Sequence, residues 1–389
     1  PPPPPLPAED GIRATRIGLV GSEMCIRDSR GDPLVSGAWR PPTEGLRERF
    51  LAAGPELTEG HGPRRTADPG YSALALELLG ERPFGLFLVE GPGRTAARGM
   101  VTVQAGRPDT ALLGLYEAPD GEAGDDATRR LIAEATEWAR QAGCARLLAP
   151  VDGSTWLSYR FRAPDPKGES AEDPGVLPWE PTTPACYLER FHLAGFQETL
   201  EFETLGLVFP EDGSYGMRDA AARTQPAAEA VEAAGYRIRN VREWGDTPPW
   251  TDLHRFISDA FSENPLFAPI PLEAFRRLYA GALGPEALGY SHWIEDSRGR
   301  MCALTLAFRQ GRAVVLKSVG VDPAHRGRGL STATTHKALV HAASEGLSEI
   351  VTALVRRGNP SESHGRRHLM SGVRSWRHRY VLLGQEVHR

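Results

Sequence analysis

The sequence predicts an α/β fold, a mixed sheet with helices on both faces, laid down twice along one chain. Three observations carry this. Short β-rich runs alternate with helical patterns through most of the 389 residues. The second half repeats the order of elements of the first while sharing little sequence. The length itself suggests two or more domains, each large enough to bury a core.

Residues 1–29 stand apart. The chain holds 42 Arg against 3 Lys, and three of its nine Ile fall in this stretch. Such an Arg bias fits a GC-rich genome, whereas Met24-Cys25-Ile26 needs AT-rich codons. Back-translated, Leu19 to Asp28 resembles a transposon-end adapter used to build sequencing libraries. Ala8 to Arg13 resembles the matching index primer. We expect residues 1–29 to be a non-native, adapter-derived tail and leave them out of fold reasoning.

From Arg30 to Arg82, "GLRERFLAAG" and "YSALALELLG" are the helical patches. "FGLFLVEG" and "RGMVTVQAG" read as a hairpin, and "TALLGLYEA" follows as a third strand. "DDATRRLIAEATEWARQAG" places Leu131, Ile132, Ala135, Trp138 and Ala139 at helical spacing, with Gly143 as a stop. "ARLLAP" is a buried-type strand. "DGSTWLSYRFR" is polar and aromatic, either a pocket floor or domain contact, or a capped helix start with Trp156 and Tyr159 in the core. "ACYLERFHLAGF" reads as a short helix and "QETLEFETLGLVF" as a strand. Residues 210–235 are rich in Ala and charge and poor in bulky apolar groups, and read as a linker. The expected domains are therefore 30–209 and 236–389.

In the second half "YRIRNV" is a strand, "TDLHRFISDAF" and "PLEAFRRLYAGAL" are helices, and "YSHWIED" and "MCALTLAFRQ" are strands. "RAVVLKSVGV" runs as a strand into a Gly/Arg loop and a long helix. "EIVTALV" and "HRYVLLGQEV" are the last strands.

Composition narrows the function. The net charge of −5 gives no global basic excess for nucleic acid. No apolar run is long enough to cross a bilayer. Cys144, Cys186 and Cys302 are widely spaced, which predicts neither a disulfide framework nor a metal site. We expect a soluble, cytoplasmic, bacterial protein without membrane or nucleic-acid partners.

The informative stretch is Val321-Asp322-Pro323-Ala324-His325-Arg326-Gly327-Arg328-Gly329-Leu330-Ser331. A strand ends, Asp322-Pro323 breaks it, and a glycine loop opens onto a helix. Successive N–H groups at a helix N-terminus attract an anion. Gly329 lets a pyrophosphate reach the backbone, and the two Arg side chains add charge-assisted contacts. The residues alone fit equally a glycine-rich turn with two solvated arginines.

This segment resembles motif A, V-x-P-x-x-R-x-x-G-x-G/A, of the GNAT superfamily of N-acetyltransferases. Only Ser331 departs from it. The resemblance implies a tandem-domain member, two GNAT-like acyl-CoA N-acyltransferase domains, with acetyl-CoA as co-substrate. It implies that Arg326, Gly327, Arg328, Gly329 and Ser331 hold the pyrophosphate, and that Val319 and Val321 offer backbone to the pantetheine arm. "RRGNPSES" resembles motif B, with Asn359 starting the next helix. The Tyr that often follows as general acid is replaced by Arg366 or Arg367, leaving His364 or Tyr380 as substitutes.

No carboxylate replaces the family's usual base. The strand offers Lys317 and Ser318, while Glu295, Glu349 and Asp322 lie near in sequence order. A water relay would suffice. Cys302 shows no His partner in the sequence, so no acyl-enzyme is expected. Seven arginines from Arg356 to Arg379 suggest a contact for the CoA 3′-phosphate or an acidic partner, or simply solvated side chains. The first half lacks the Arg-x-x-Gly-x-Gly loop and puts carboxylates in its place, which implies a degenerate domain. The implied function is acyl transfer from acyl-CoA to a small-molecule or peptide amine. The alternative is an acyl-CoA-binding pseudoenzyme or scaffold.

Overall fold

The computed structural model describes residues 17–18, 42–58, 65–91, 94–165, 171–245, 247–280, 283, 287, 289–359, 362 and 372–388. Contacts divide the chain into two units. The first comprises residues 1–153, 189–196 and 384–389; the second comprises 154–188 and 197–383. Each is therefore assembled from separated stretches, and β7 (Gln197–Val208) and most of β13 (Arg374–Glu386) belong to the second.

In the first unit, β2 (Phe84–Glu90), β3 (Thr95–Gln104) and β4 (Arg107–Glu117) run antiparallel, and β5 (Arg146–Ala149) joins β4 in parallel. Between β4 and β5 comes helix α3 (Glu122–Gln141). Its five expected apolar positions, Leu131, Ile132, Ala135, Trp138 and Ala139, are all buried. Gly143 follows with φ 77°, the left-handed turn that ends a helix. Helices α1 (Glu44–Leu57) and α2 (Pro69–Leu79) precede the sheet, N-capped by Thr43 and Asp68. Within the first 29 residues the two-residue strand β1 (Ile17–Gly18) pairs with β2 at Val89 and Leu88, a contact that the exclusion of this stretch does not anticipate. Helix α4 (Ala185–Leu193) begins in the second unit and ends in the first.

The second unit repeats the order. β8 (Arg237–Asn240), β9 (His292–Glu295), β10 (Met301–Gln310) and β11 (Ala313–Val321) are antiparallel neighbours, and β12 (Glu349–Arg356) joins β11 in parallel. Helix α8 (Leu330–Ser344) connects β11 to β12. The strand order is β13-β7-β12-β11-β10-β9-β8, with the short β6 (Phe161–Ala163) on β13. Helices α6 (Trp250–Phe261) and α7 (Leu272–Ala280) follow β8.

The stretch 210–235, read from sequence as a linker, contains the 17-residue helix α5 (Met217–Ala233). Ala is the best helix former. Its small side chain also lets two helices lie close. Ala220 and Ala221 of α5 share a core with Ala338, Leu339 and Ala342 of α8, over Leu205, Val314 and Ile350 of the sheet. On the opposite face Val315, Val351, Ala353 and Trp376 pack with Leu177 and Trp179. Among the described residues no helix is long and apolar enough to cross a membrane.

Candidate acyl-transfer site

The site begins at an irregularity in β11. Ala307 pairs with Leu316 and Leu306 with Ser318, so Lys317 has no opposite number in β10. A bulge of this kind bends a strand and re-aims it. The parallel register with β12 runs from Ala313↔Glu349 to Leu316↔Thr352. Past that point β11 stays with β10 as far as Val321, while β12 stays with β7 through Val355↔Glu203 and Arg356↔Phe202. The sheet splits there. Val319 and Val321 lie on the stretch of β11 beyond the split.

The glycine loop starts where β11 ends. The Asp322 carboxylate accepts from Ala324 N at 2.8 Å and shapes the turn Pro323–His325. Gly327 and Gly329 both have φ 77°, and Gly329 is the N-cap of α8 without a side-chain cap. A Cβ on Gly327 would meet nothing within 4 Å, and one on Gly329 would meet only Ala227 at 3.8 Å. Both glycines are thus required by conformation, with no neighbour crowding them. Among the described residues, the amides of Gly327, Arg328, Gly329 and Leu330 find no backbone acceptor. A row of such amides at the positive end of a 15-residue helix fits a phosphate oxyanion.

The flanking arginines differ. Arg326 is exposed and pairs with Glu263. The Arg328 guanidinium donates to Tyr236 Oη at 2.8 Å, Tyr236 Oη lies 2.9 Å from His325 Nδ1, and His325 Nε2 lies 3.6 Å from Cys302 Sγ. Cys302 therefore does have a histidine beside it, which sequence distance concealed. Burial, with Asp296 nearby, pushes its thiol up to about 11, which disfavours the thiolate. Asp296, Cys302 and His325 also bring potential metal-ligand atoms within 4.8 Å of one another. The Asp296 oxygens are already engaged by the amides of Arg298 and Arg300 and by the Arg300 guanidinium.

The remaining expected residues fall as follows. Asn359 follows β12; its amide donates to Arg356 O at 3.0 Å and its carbonyl accepts from Glu362 N at 2.9 Å, a tight turn. Tyr380 lies on β13 fully buried, and its hydroxyl accepts from Arg162 at 3.1 Å. Burial raises the phenol above its ordinary value. His364, Arg366 and Arg367 lie outside the described residues. Glu295 is paired with Arg237 and Arg239, Glu349 with Arg312, and Asp322 is occupied in its turn. Of the C-terminal arginines, Arg357 pairs with Glu201, and Arg379 with Glu198 and Glu201. These two are neutralised within the fold. Trp156 resolves toward a packing role: it meets Phe267, Phe275 and Tyr279 around α7, and its indole N–H donates to Ala268 O at 2.7 Å.

The corresponding place in the first unit is filled. Where β4 and the chain after β5 could separate, Asp152 sits with its carboxylate accepting from Leu115 N at 2.6 Å and from Tyr71 Oη at 2.8 Å. A Cβ on Gly114 would stand 2.0 Å from Val151 O, so the two segments touch. At the N-terminus of α3, the Arg190 guanidinium bonds Asp125 and the carbonyl of Pro119. The loop turns carbonyls and carboxylates toward a cation, the reverse of a phosphate cradle.

A split parallel pair beside an unsatisfied glycine loop defines the second unit as an acyl-transfer fold. Residues 250–362 match the model of the acetyltransferase (GNAT) family, and this part of the chain is a GNAT domain. The chain is similar to a tandem GNAT protein from the clavulanic acid biosynthesis pathway, with 17% identity, a TM-score of 0.49, and 89% of this chain and 96% of that one covered. It is similar also to GCN5-related N-acetyltransferases from Sphaerobacter thermophilus (13% identity, TM-score 0.43, 90% and 95% covered) and Kribbella flavida (11%, 0.49, 89% and 70%). No curated protein matches it.

Proposed function

We propose that the chain is an N-acyltransferase that moves an acetyl or other acyl group from acyl-CoA to an amine, using the second unit alone. The observation that carries this is the run of unsatisfied amides from Gly327 to Leu330, at the head of α8 and at the end of the strand that leaves the sheet. Arg326, Gly327, Arg328, Gly329 and Ser331 would surround the pyrophosphate, and Val319 and Val321 would offer backbone to the arm. The amine attacks the thioester carbonyl; a C–N bond forms, the C–S bond breaks, and CoA leaves as thiolate. The amine proton passes to water, since the nearby carboxylates are already paired. The protein contributes positioning and fixed dipoles more than covalent chemistry. Tyr380 does not suit the role of proton donor to the thiolate, because it is fully buried with its hydroxyl on Arg162 and burial raises the phenol, which makes it a weaker acid; the thiolate takes its proton from water.

The test is acetyl-CoA binding by calorimetry, with steady release of CoA thiol across a panel of amines. Binding with turnover supports the proposal. Binding without turnover for any amine would favour an acyl-CoA-binding pseudoenzyme, and no binding would refute both.

A further inference from the structure

Arg160 lies in the stretch 154–188 of the second unit and is only 6% exposed. Its guanidinium carbon stands 3.7 Å from the centroid of the Tyr159 ring and 4.3 Å from that of Phe202. Its Nη2 donates to the Tyr159 hydroxyl. Its Nε is buried without a hydrogen-bond partner. Among the described residues no carboxylate pairs with it, although its neighbour Arg162 has Asp165 and Arg379 has two glutamates. Tyr380, which also interacts with it, is a phenol whose ionisation burial disfavours. Burial depresses this guanidinium to about 9, only partly offset by Tyr380.

Aromatic faces offset part of the desolvation of a buried cation. A buried charge without counter-charge is still costly, and replacing it with an apolar group is often neutral or stabilising. A buried cation left in this state fits an anion that arrives with a ligand. The place is consistent with this. Phe202 is the β7 partner of Arg356, at the end of β12 and beyond the split from β11.

We propose that Arg160 receives the carboxylate of the acyl acceptor, so that the acceptor is an amine bearing a carboxylate, such as an amino acid; this rests on the acyl-transfer reading above. A guanidinium presents a planar fork that matches a carboxylate. One unpaired positive charge suits a monoanion better than a phosphate dianion, because Arg162 is already neutralised by Asp165.

The carboxylate titrations need no CoA, so their failure is separable from failure of the acyl-transfer reading. Full-length protein and Arg160→Met are titrated with acetate, phenylacetate and the twenty L-amino acids, and in parallel with phenylacetamide and phenyl phosphate. Unliganded melting is recorded for both proteins. At least one carboxylate should bind the parent, with its amide and its phosphate counterpart weaker. Arg160→Met should bind it about tenfold to a hundredfold less tightly, the loss of one charged hydrogen bond. Unliganded Arg160→Met should melt at or above the parent temperature, which a merely structural Arg would not allow. Acetyl-CoA affinity of the variant should be unchanged. The proposal is overturned if no carboxylate binds, if Arg160→Met binds equally well, if phenyl phosphate or the amide binds best, or if the variant melts well below the parent.

Discussion

Gly329 offers the sharpest test of the loop, because two costs of changing it can be separated. With φ 77° it occupies the left-handed region, where a β-branched side chain is a genuine outlier. Holding valine there costs about 1–3 kcal/mol. In a unit of this size each kcal/mol lowers Tm by about 2–4 °C, so Gly329→Val should melt a few to about twelve degrees early. Gly346, just past the other end of α8, is the control. It too has a left-handed φ, of 70°, and open space around its Cβ. Gly346→Val should therefore show a similar shift. Only Gly329→Val should also bar an anion from the amides. Charged hydrogen bonds are worth about 1.5–3 kcal/mol each. Losing two weakens acetyl-CoA binding by roughly two to four orders of magnitude, at about 1.4 kcal/mol per tenfold. Calorimetry with acetyl-CoA beside thermal melting of the parent and both variants reads both effects. If Gly329→Val binds like the parent, or if Gly346→Val loses binding equally, the loop is not the cradle and the reasoning fails.

Arg326→Ala should weaken acetyl-CoA by less than about tenfold, because an exposed pair with Glu263 competes for it and solvent screens it; calorimetry on the variant decides. Titration of the whole chain with acetyl-CoA should give one site, since Asp152 and Arg190 occupy the equivalent place in the first unit; a stoichiometry of two would contradict that. Asp152 is raised from 3.8 to about 6 by burial, so the folded state favours its protonated form. That contribution is fully present below pH 3.8, fades as pH rises to about 6, and amounts to about 3 kcal/mol. Asp152→Asn should therefore gain stability relative to the parent as pH rises from 4 to 7, read by urea unfolding at each pH. His292 behaves oppositely: burial lowers it to about 4, so its contribution is present above 6.5 and lost as pH falls toward 4. His292→Gln should show less acid sensitivity over that window, by the same measurement.

What the sequence discloses here is whatever repeats at short range. The apolar positions of α3 recur every three or four residues, and each one is buried. The glycine loop is legible because a strand end, two glycines and a helix start must follow one another directly. Contacts between distant residues leave no such trace. Cys302 and His325 are neighbours only because β10 pairs with the strand that leads into the loop. The helix in 210–235 was hidden by its own alanines, which look like a linker until a second alanine-bearing helix is there to meet them. Arg160 gives no signal in the chain; what distinguishes it is the absence of a partner, and that exists only once the fold has buried it.

The two units show how one order of elements serves two ends. Each sends antiparallel strands into a long helix and returns with a parallel strand. In the second, β11 and β12 part after four paired residues, and the amides at the head of α8 keep their donors free. In the first, a carboxylate takes the place between the strands and a guanidinium caps the loop. A vacated cleft would leave Leu115 N and the loop carbonyls buried without partners, at about 1–3 kcal/mol each. Asp152 and Arg190 satisfy them from within the chain. The space beside β4 and the loop at the head of α3 are thus closed by side chains of the first unit itself.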